Sequence, residues 1–160
     1  MDTETERLVL HPVDREEARR IHDRAPAGDD RWADDFPFGG DVAATGALLQ
    51  ATALRGDQRP FGYSLLRRRS DGLAIGGIGF KGPPEDGALE VGYGLAPSAR
   101  GQGYATEALI AMLGIAAGLG VAVVRADTEP DNVASQRTLE KAGFLPAGGD
   151  RALRWFERRL

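Results

Sequence analysis

The stretch Arg100-Gly101-Gln102-Gly103-Tyr104-Ala105-Thr106 constrains this chain more than any other. It joins an alternating apolar run that reads as a strand, Ala88 to Leu95, to a run that reads as a helix from Gly103 to about Leu119. In that helix Ala105, Ala108, Leu109, Met112, Leu113 and Ala116 share one apolar face, and Gly120 stops it. Val121-Ala-Val-Val-Arg-Ala-Asp127 follows, short and β-branched, and reads as a strand. A strand–helix–strand step predicts two parallel strands joined by a right-handed crossover.

Upstream, the strands follow one another through tight turns. Phe61 to Arg67 and Leu73 to Phe80 flank Ser70-Asp71-Gly72, and Gly82 to Gly87 leads into Ala88 to Leu95, which predicts an antiparallel meander. Leu8-Val9-Leu10 reads as a first strand, and Asp14 caps a helix from Arg15 to about Asp23, with Glu16 and Glu17 in its first turn. Asp23 to Gly40 is loop-like, and Val42 to Leu54 reads as a second helix. Asn132 caps a last helix that ends at Gly143, and Arg151 to Leu160 reads as the final strand, with Trp155 and Phe156 on opposite faces. The expectation is a single α+β (mixed α/β) domain over residues 1–160: a central mixed, mostly antiparallel sheet with one parallel pair and flanking helices.

A glycine turn that feeds a helix start is an anion site, because the first-turn N–H groups have no partners within the helix and the dipole adds positive charge there. A Walker loop needs Lys-Ser or Lys-Thr after its last glycine, which this turn lacks. A dinucleotide fingerprint needs a third glycine, and Thr106 stands at that position. What remains is Arg100-x-x-Gly103-x-Ala105. Further along stands Asn132-Val-Ala-Ser135-Gln-Arg-Thr-Leu139-Glu140-Lys141-Ala-Gly143-Phe144.

Together these two segments resemble the pyrophosphate and second signatures of the GNAT N-acetyltransferases. Glu90-Val-Gly-Tyr93-Gly-Leu95-Ala-Pro97 and Thr5-Glu6-Arg7-Leu8-Val9-Leu10 extend the resemblance nearly end to end, least between Asp23 and Arg59. The branch it is most similar to is that of the ribosomal-protein N-terminal (RimJ/RimL-type) acetyltransferases. The resemblance implies a GNAT-like fold whose parallel pair is splayed, with acetyl-CoA as cosubstrate and no metal. It implies that Tyr93, Gly94 and Leu95 contact the pantetheine, with the Leu95 N–H as an oxyanion donor. The N–H groups of Gly101, Gln102, Gly103, Tyr104, Ala105 and Thr106, behind Arg100, would hold the pyrophosphate, and Asn132 would both cap its helix and bond the pantetheine. Ser135 would sit near the thioester sulfur. Many branches carry a tyrosine general acid where this chain has Leu139, so Ser135 or ordered water must protonate the leaving thiolate.

An attacking ammonium must lose a proton. Glu90 and Asp127 are the candidates, either as a base, direct or through water, or as an attraction for the positive charge. The acceptor site is expected among the N-terminal loops, where Trp32, Asp34 and Phe36 combine acids that steer a cation with aromatics that wall a pocket.

Composition narrows the classes. With no cysteine, disulfides, thiol catalysis and thiolate metal sites are excluded, and a cytoplasmic location is expected. No apolar run approaches the ~20 residues of a membrane span. A net charge of −4 gives no reason to expect nucleic acid. The expected function is acetyl-CoA-dependent transfer to a primary amine, a protein or peptide N-terminus, by a monomer or homodimer. The alternatives are a small-molecule amine acetyltransferase, antibiotics included, or a catalytically silent acyl-CoA-binding module.

Overall fold

The computed structural model describes residues 1–160. In chain order its elements are β1 (Thr3–Glu4), β2 (Leu8–Pro12), α1 (Arg15–His22), α2 (Gly39–Arg55), β3 (Gly62–Arg68), β4 (Ala74–Phe80) and β5 (Ala88–Leu95), then a 3₁₀ turn (Pro97–Ala99). After that turn come α3 (Tyr104–Gly118), β6 (Val123–Thr128), α4 (Val133–Lys141), β7 (Leu145–Gly149) and β8 (Arg154–Arg159). The eight strands form one sheet in the order β1-β2-β3-β4-β5-β6-β8-β7. Every neighbouring pair is antiparallel except β5 and β6, which run parallel through the α3 crossover.

That parallel pair is short. Ala88 faces Val123, Leu89 faces Val124 and Glu90 faces Arg125, and there the register stops, although β5 continues to Leu95 and β6 to Thr128. The two strands therefore part midway. Beyond that point β5 stays paired with β4 along Val91 to Leu95, and β6 with β8 along Ala126 to Thr128.

The helices are set by their caps and apolar faces. Asp14 accepts from the Glu17 N–H at 2.9 Å in a capping box that starts α1, and α1 packs against α2. Helix α3 buries Ala108, Leu109, Met112 and Ala116 against β2, β4 and β5. Leu109 alone, fully removed from water, contributes roughly 2 kcal/mol. Helix α4 touches α3 and lies over β6, with Leu139 fully buried.

Two strands and several boundaries differ from the sequence reading; β6 starts at Val123 and β8 at Arg154, later than the expected Val121 and Arg151, and α4 ends at Lys141. β1 is only two residues long, too short to show a period. β7 lies on the sheet edge with all five residues exposed, so no burial alternation marks Leu145 to Gly149. Helix α2 starts at Gly39, ahead of the expected Val42, because the Asp41 carboxylate accepts the Phe38 N–H at 2.9 Å and fixes an earlier first turn. Phe156 is buried and Trp155 half-buried, on opposite faces of β8. No helix is long and apolar enough to cross a membrane.

Candidate active site

The glycine turn sits directly beyond the point where β5 and β6 part. Gly101 and Gly103 adopt φ of +76° and +84°, a left-handed region that other residues enter at a cost. This reversal starts α3 with the backbone N–H groups of Gly101 to Thr106 finding no acceptor in the protein. The turn is braced from outside. Arg7 Nη1 donates to the Gln102 carbonyl at 2.8 Å, and the Arg7 guanidinium lies 4.4 Å over the buried Tyr104 ring. Arg7 also donates to Glu107 from Nε at 2.8 Å and from its backbone N–H at 2.9 Å, and Thr5 adds a hydroxyl. Burial pushes the Glu107 carboxyl up, but the bonds from Thr5 and Arg7 together hold it below the ordinary range. Tyr104 thus serves the turn through its backbone and its packing, and Ala105 and Thr106 through backbone alone. The Arg100 guanidinium folds back: Nε donates to the Leu95 carbonyl at 3.1 Å, and the group stacks 4.9 Å over the Phe38 ring.

Strand β5 presents two different edges. The Lys81 N–H donates to Glu90 and the Ala96 N–H donates to Ile75, each at 2.8 Å. By the alternation of an antiparallel ladder, the N–H and C=O of Gly92 and Gly94 then face β4, while those of Val91, Tyr93 and Leu95 face the gap left by β6. The expected backbone contact at Gly94 is corrected by this parity. Its polar groups are used in pairing with Gly77, and its contribution is a bare surface with open space where a Cβ would stand. Tyr93 and Leu95 keep free N–H groups at the gap.

Across that gap stands the first turn of α4. Asn132 accepts the Ser135 N–H at 3.1 Å and caps the helix as expected. Ser135 Oγ lies 2.6 Å from the Tyr93 hydroxyl, so two elements far apart in sequence share one hydroxyl pair. Burial pushes the Tyr93 phenol above its ordinary range, and the bond with Ser135 works the other way. Leu139, at the position where a tyrosine was considered, is sealed in the core and cannot reach the gap. The sequence reading assigned Tyr93 only a backbone role and missed its side chain.

The two acids come together, but through a third residue that went unnoticed. Lys81 Nζ donates to Glu90 Oε1 at 2.8 Å and lies 3.7 Å from Asp127 Oδ2. An ammonium therefore already sits between Glu90 and Asp127.

Lys81, Tyr93, Gly94, Asp127, Asn132 and Ser135 line a cavity of about 1050 Å³; Glu90, Leu95 and the glycine turn stand outside its lining. One wall is the small-residue face of α2, Ala43, Ala44, Ala47 and Ala51, and the floor includes Gly77, Gly79, Gly92 and Gly94. A Cβ on Gly77 would stand 2.1 Å from the Tyr63 ring, so the ring lies flat on the sheet only because that position is bare. The Tyr63 hydroxyl donates to Asp41 Oδ1 at 2.8 Å. Burial pushes the Asp41 carboxyl up, against the bonds from Phe38 and Tyr63; burial, and then the charge of Asp41, push the Tyr63 phenol well up.

Trp32, Asp34 and Phe36 are set elsewhere. Phe36 is a core residue, Trp32 packs edge-on against it at 5.3 Å, and Asp34 is exposed; none of the three lines the cavity. The reason is a bridge the sequence does not advertise: Ala33 N–H donates to Ala74 and Ala74 N–H to Arg31, which pins the Trp32 segment to the first residue of β4. Phe38, a few residues on, does line the cavity. Phe38 belongs to the same acidic, aromatic run that was expected to wall the pocket; Asp41, Tyr63 and Lys81 were missed. The acid at the third position of α2 and the scarcity of lysine were the available signals.

The Acetyltransferase (GNAT) domain family matches residues 7–145. The protein named "Uncharacterized N-acetyltransferase YjdG" of Bacillus subtilis (strain 168) is 41% identical over 73 residues, which cover 44% of this chain. That match spans 44% of the relative's length, less than half of it. Among solved structures, RimL, a ribosomal L7/L12 alpha-N-protein acetyltransferase in complex with coenzyme A, superposes with a TM-score of 0.70 at 19% identity, covering 98% of this chain and 96% of its own. The microcin C7 self-immunity acetyltransferase MccE, in complex with acetyl-CoA and AMP, superposes at 0.68 and 12% identity, covering 98% and 94%. At these identities the two structures speak for the shared fold.

Proposed function

The chain belongs to the GNAT acetyltransferase family, which uses acetyl-CoA as acyl donor, and on that premise we propose that it acetylates the α-amine of a protein or peptide N-terminus. The observation that carries this reading is the ammonium held by Glu90 and Asp127 at the cavity wall. A pair of carboxylates around one ammonium is a receptor for a cationic amine. The alanine wall of α2 and the glycine floor favour an extended peptide, since a chain lying on bare backbone meets few side chains.

Acetyl-CoA supplies the activated acyl group. The N–H groups of Gly101 to Thr106 bind its pyrophosphate, those of Tyr93 and Leu95 face its pantetheine arm, and the Leu95 N–H stabilises the oxyanion. Glu90, with Asp127 beside it, takes the proton from the incoming ammonium. Ser135 Oγ protonates the departing sulfur and is resupplied by the Tyr93 hydroxyl at 2.6 Å. Asn132 fixes this relay by holding the Ser135 turn.

The test is acetyl-CoA-dependent release of CoA with N-terminal peptides, polyamines and aminoglycosides in parallel. We expect turnover on peptides, with kcat lowered about 10²-fold or more by Glu90→Gln and by Ser135→Ala. Tyr93→Phe is expected to lower kcat less than Ser135→Ala. Turnover confined to aminoglycosides or polyamines replaces the peptide acceptor by a small amine. Binding of acetyl-CoA without any turnover overturns the catalytic reading.

A further inference from the structure

Of the chain's 20 basic residues only Lys81 and Lys141 are lysines. One of the two stands in the reaction cavity. A guanidinium would neutralise Glu90 and Asp127 equally well, but only the lysine amine, once deprotonated, is a nucleophile. We propose that Lys81 is itself an acceptor, and that the protein transfers acetyl from acetyl-CoA to its own Lys81 Nζ, in cis, when no other amine fills the cavity. This rests on the reading above, in which Glu90 serves the acceptor amine.

The geometry is that of a tethered substrate. Glu90, Gly92 and Gly94 share one face of β5 by strand alternation. Lys81 lies across that face, its Cε 3.0 Å from where a Gly92 Cβ would stand and its Nζ bonded to Glu90. Gly92 and Gly94 put no side chain of their own on that face, and nothing stands within 4 Å of where a Gly94 Cβ would be. From Gly92 to Gly94 is roughly 6–7 Å along the strand, a distance that rotation of a half-exposed lysine covers. There Nζ meets the gap lined by the Leu95 N–H. Tethering the amine to the neighbouring strand makes the encounter unimolecular.

In the transfer, the ammonium passes one proton to Glu90, and the free amine attacks the thioester carbon. The carbon–sulfur bond breaks, the second proton ends on the CoA thiol, and the first leaves Glu90 for solvent. The products are acetyl-Lys81 and CoA, with one proton released. The amide that results carries no charge, so Glu90 and Asp127 are left without their internal cation and open to the ammonium of an external acceptor.

The full chain is incubated with acetyl-CoA and no acceptor, and each lysine is followed by peptide mass mapping. Lys141, exposed on α4, reports uncatalysed acetylation. We expect Lys81 to be modified at least about tenfold faster than Lys141, at a rate independent of protein concentration. Lys81→Arg keeps the cation and should remove the modification, and Glu90→Gln should slow it. Equal labelling of the two lysines overturns the proposal, as does a Lys81 rate that rises with protein concentration. If Lys81 stays unmodified while the same sample acetylates a peptide, self-acetylation falls and the acceptor reading stands. If neither is acetylated, both fall together.

Discussion

The donor side and the acceptor side of the proposed site are built by opposite means. At the donor side the working groups are backbone N–H from Gly101 to Thr106, and side chains only brace them from behind, as Arg7, Glu107 and Tyr104 do. At the proposed acceptor side the floor is bare glycine backbone, and the groups at hand are side chains: Asp41, Tyr63, Lys81 and Asp127 on the cavity wall, with Glu90 bonded to Lys81. A ligand common to a whole family can be held by backbone, which every sequence supplies. An acceptor peculiar to one protein is read by side chains, which can change one at a time.

If the two sides are independent, each can be damaged alone. The largest effect is expected from Asp41→Ala, which takes the near acceptor from the buried Tyr63 hydroxyl, leaving it only the Gly76 carbonyl at 3.4 Å, and removes the partner of the Phe38 N–H. It should lower stability by about 3 kcal/mol, seen as a fall in denaturation midpoint, and weaken acceptor use while leaving acetyl-CoA affinity unchanged by titration. A matching loss of acetyl-CoA affinity would break the comparison. Gly77→Ala comes next: the added methyl meets the face of the Tyr63 ring rather than a flexible chain end, at a cost of about 2 kcal/mol. Its acetyl-CoA affinity should again be unchanged.

Glu107→Gln tests the other side, with an expected loss of about 1–2 kcal/mol and weaker acetyl-CoA binding. The sign of its pH dependence follows from the lowered carboxyl. The stability Glu107 contributes is complete above the ordinary carboxylate value of 4.5, and is lost as pH falls through the lower folded-state value. The gap in melting temperature between wild type and Glu107→Gln should therefore be constant above that value and close below it. Smallest is Arg100→Ala. Its stacking on Phe38 joins the turn to the start of α2, and its loss should cost under about 1 kcal/mol. This is the variant in which both affinities should shift slightly together.

The same contrast explains what could be read from sequence. The glycine turn stood out by its fixed spacing and Asn132 by its place as a helix cap, which the structure bears out, whereas Ser135 came from the family resemblance. The course of β5 was legible too, its bounds from Ala88 to Leu95 coinciding with the expected ones. Lys81 was not, because its partners lie nine residues away across a hairpin and 46 away on a parallel strand. Tyr63 and Asp41 meet only after α2 has folded back over β3. Trp32 and Phe36 look like pocket aromatics in one dimension, and a bridge to Ala74 turns them toward the core instead. Short motifs record contacts within one turn of chain, and nothing local records which distant strand will supply the partner.

The three-residue pairing of β5 with β6 carries a consequence for the life of the protein. A sheet that parts midway lacks a piece of itself, and in the function proposed above the pantetheine arm takes that place. Any ligand that binds only the folded form raises stability by mass action, by about 2.7 kcal/mol when present at a hundred times its dissociation constant. Protease resistance and abundance of this chain should then rise and fall with the acetyl-CoA supply of its cell, making the amount of enzyme, and not only its rate, a readout of metabolic state.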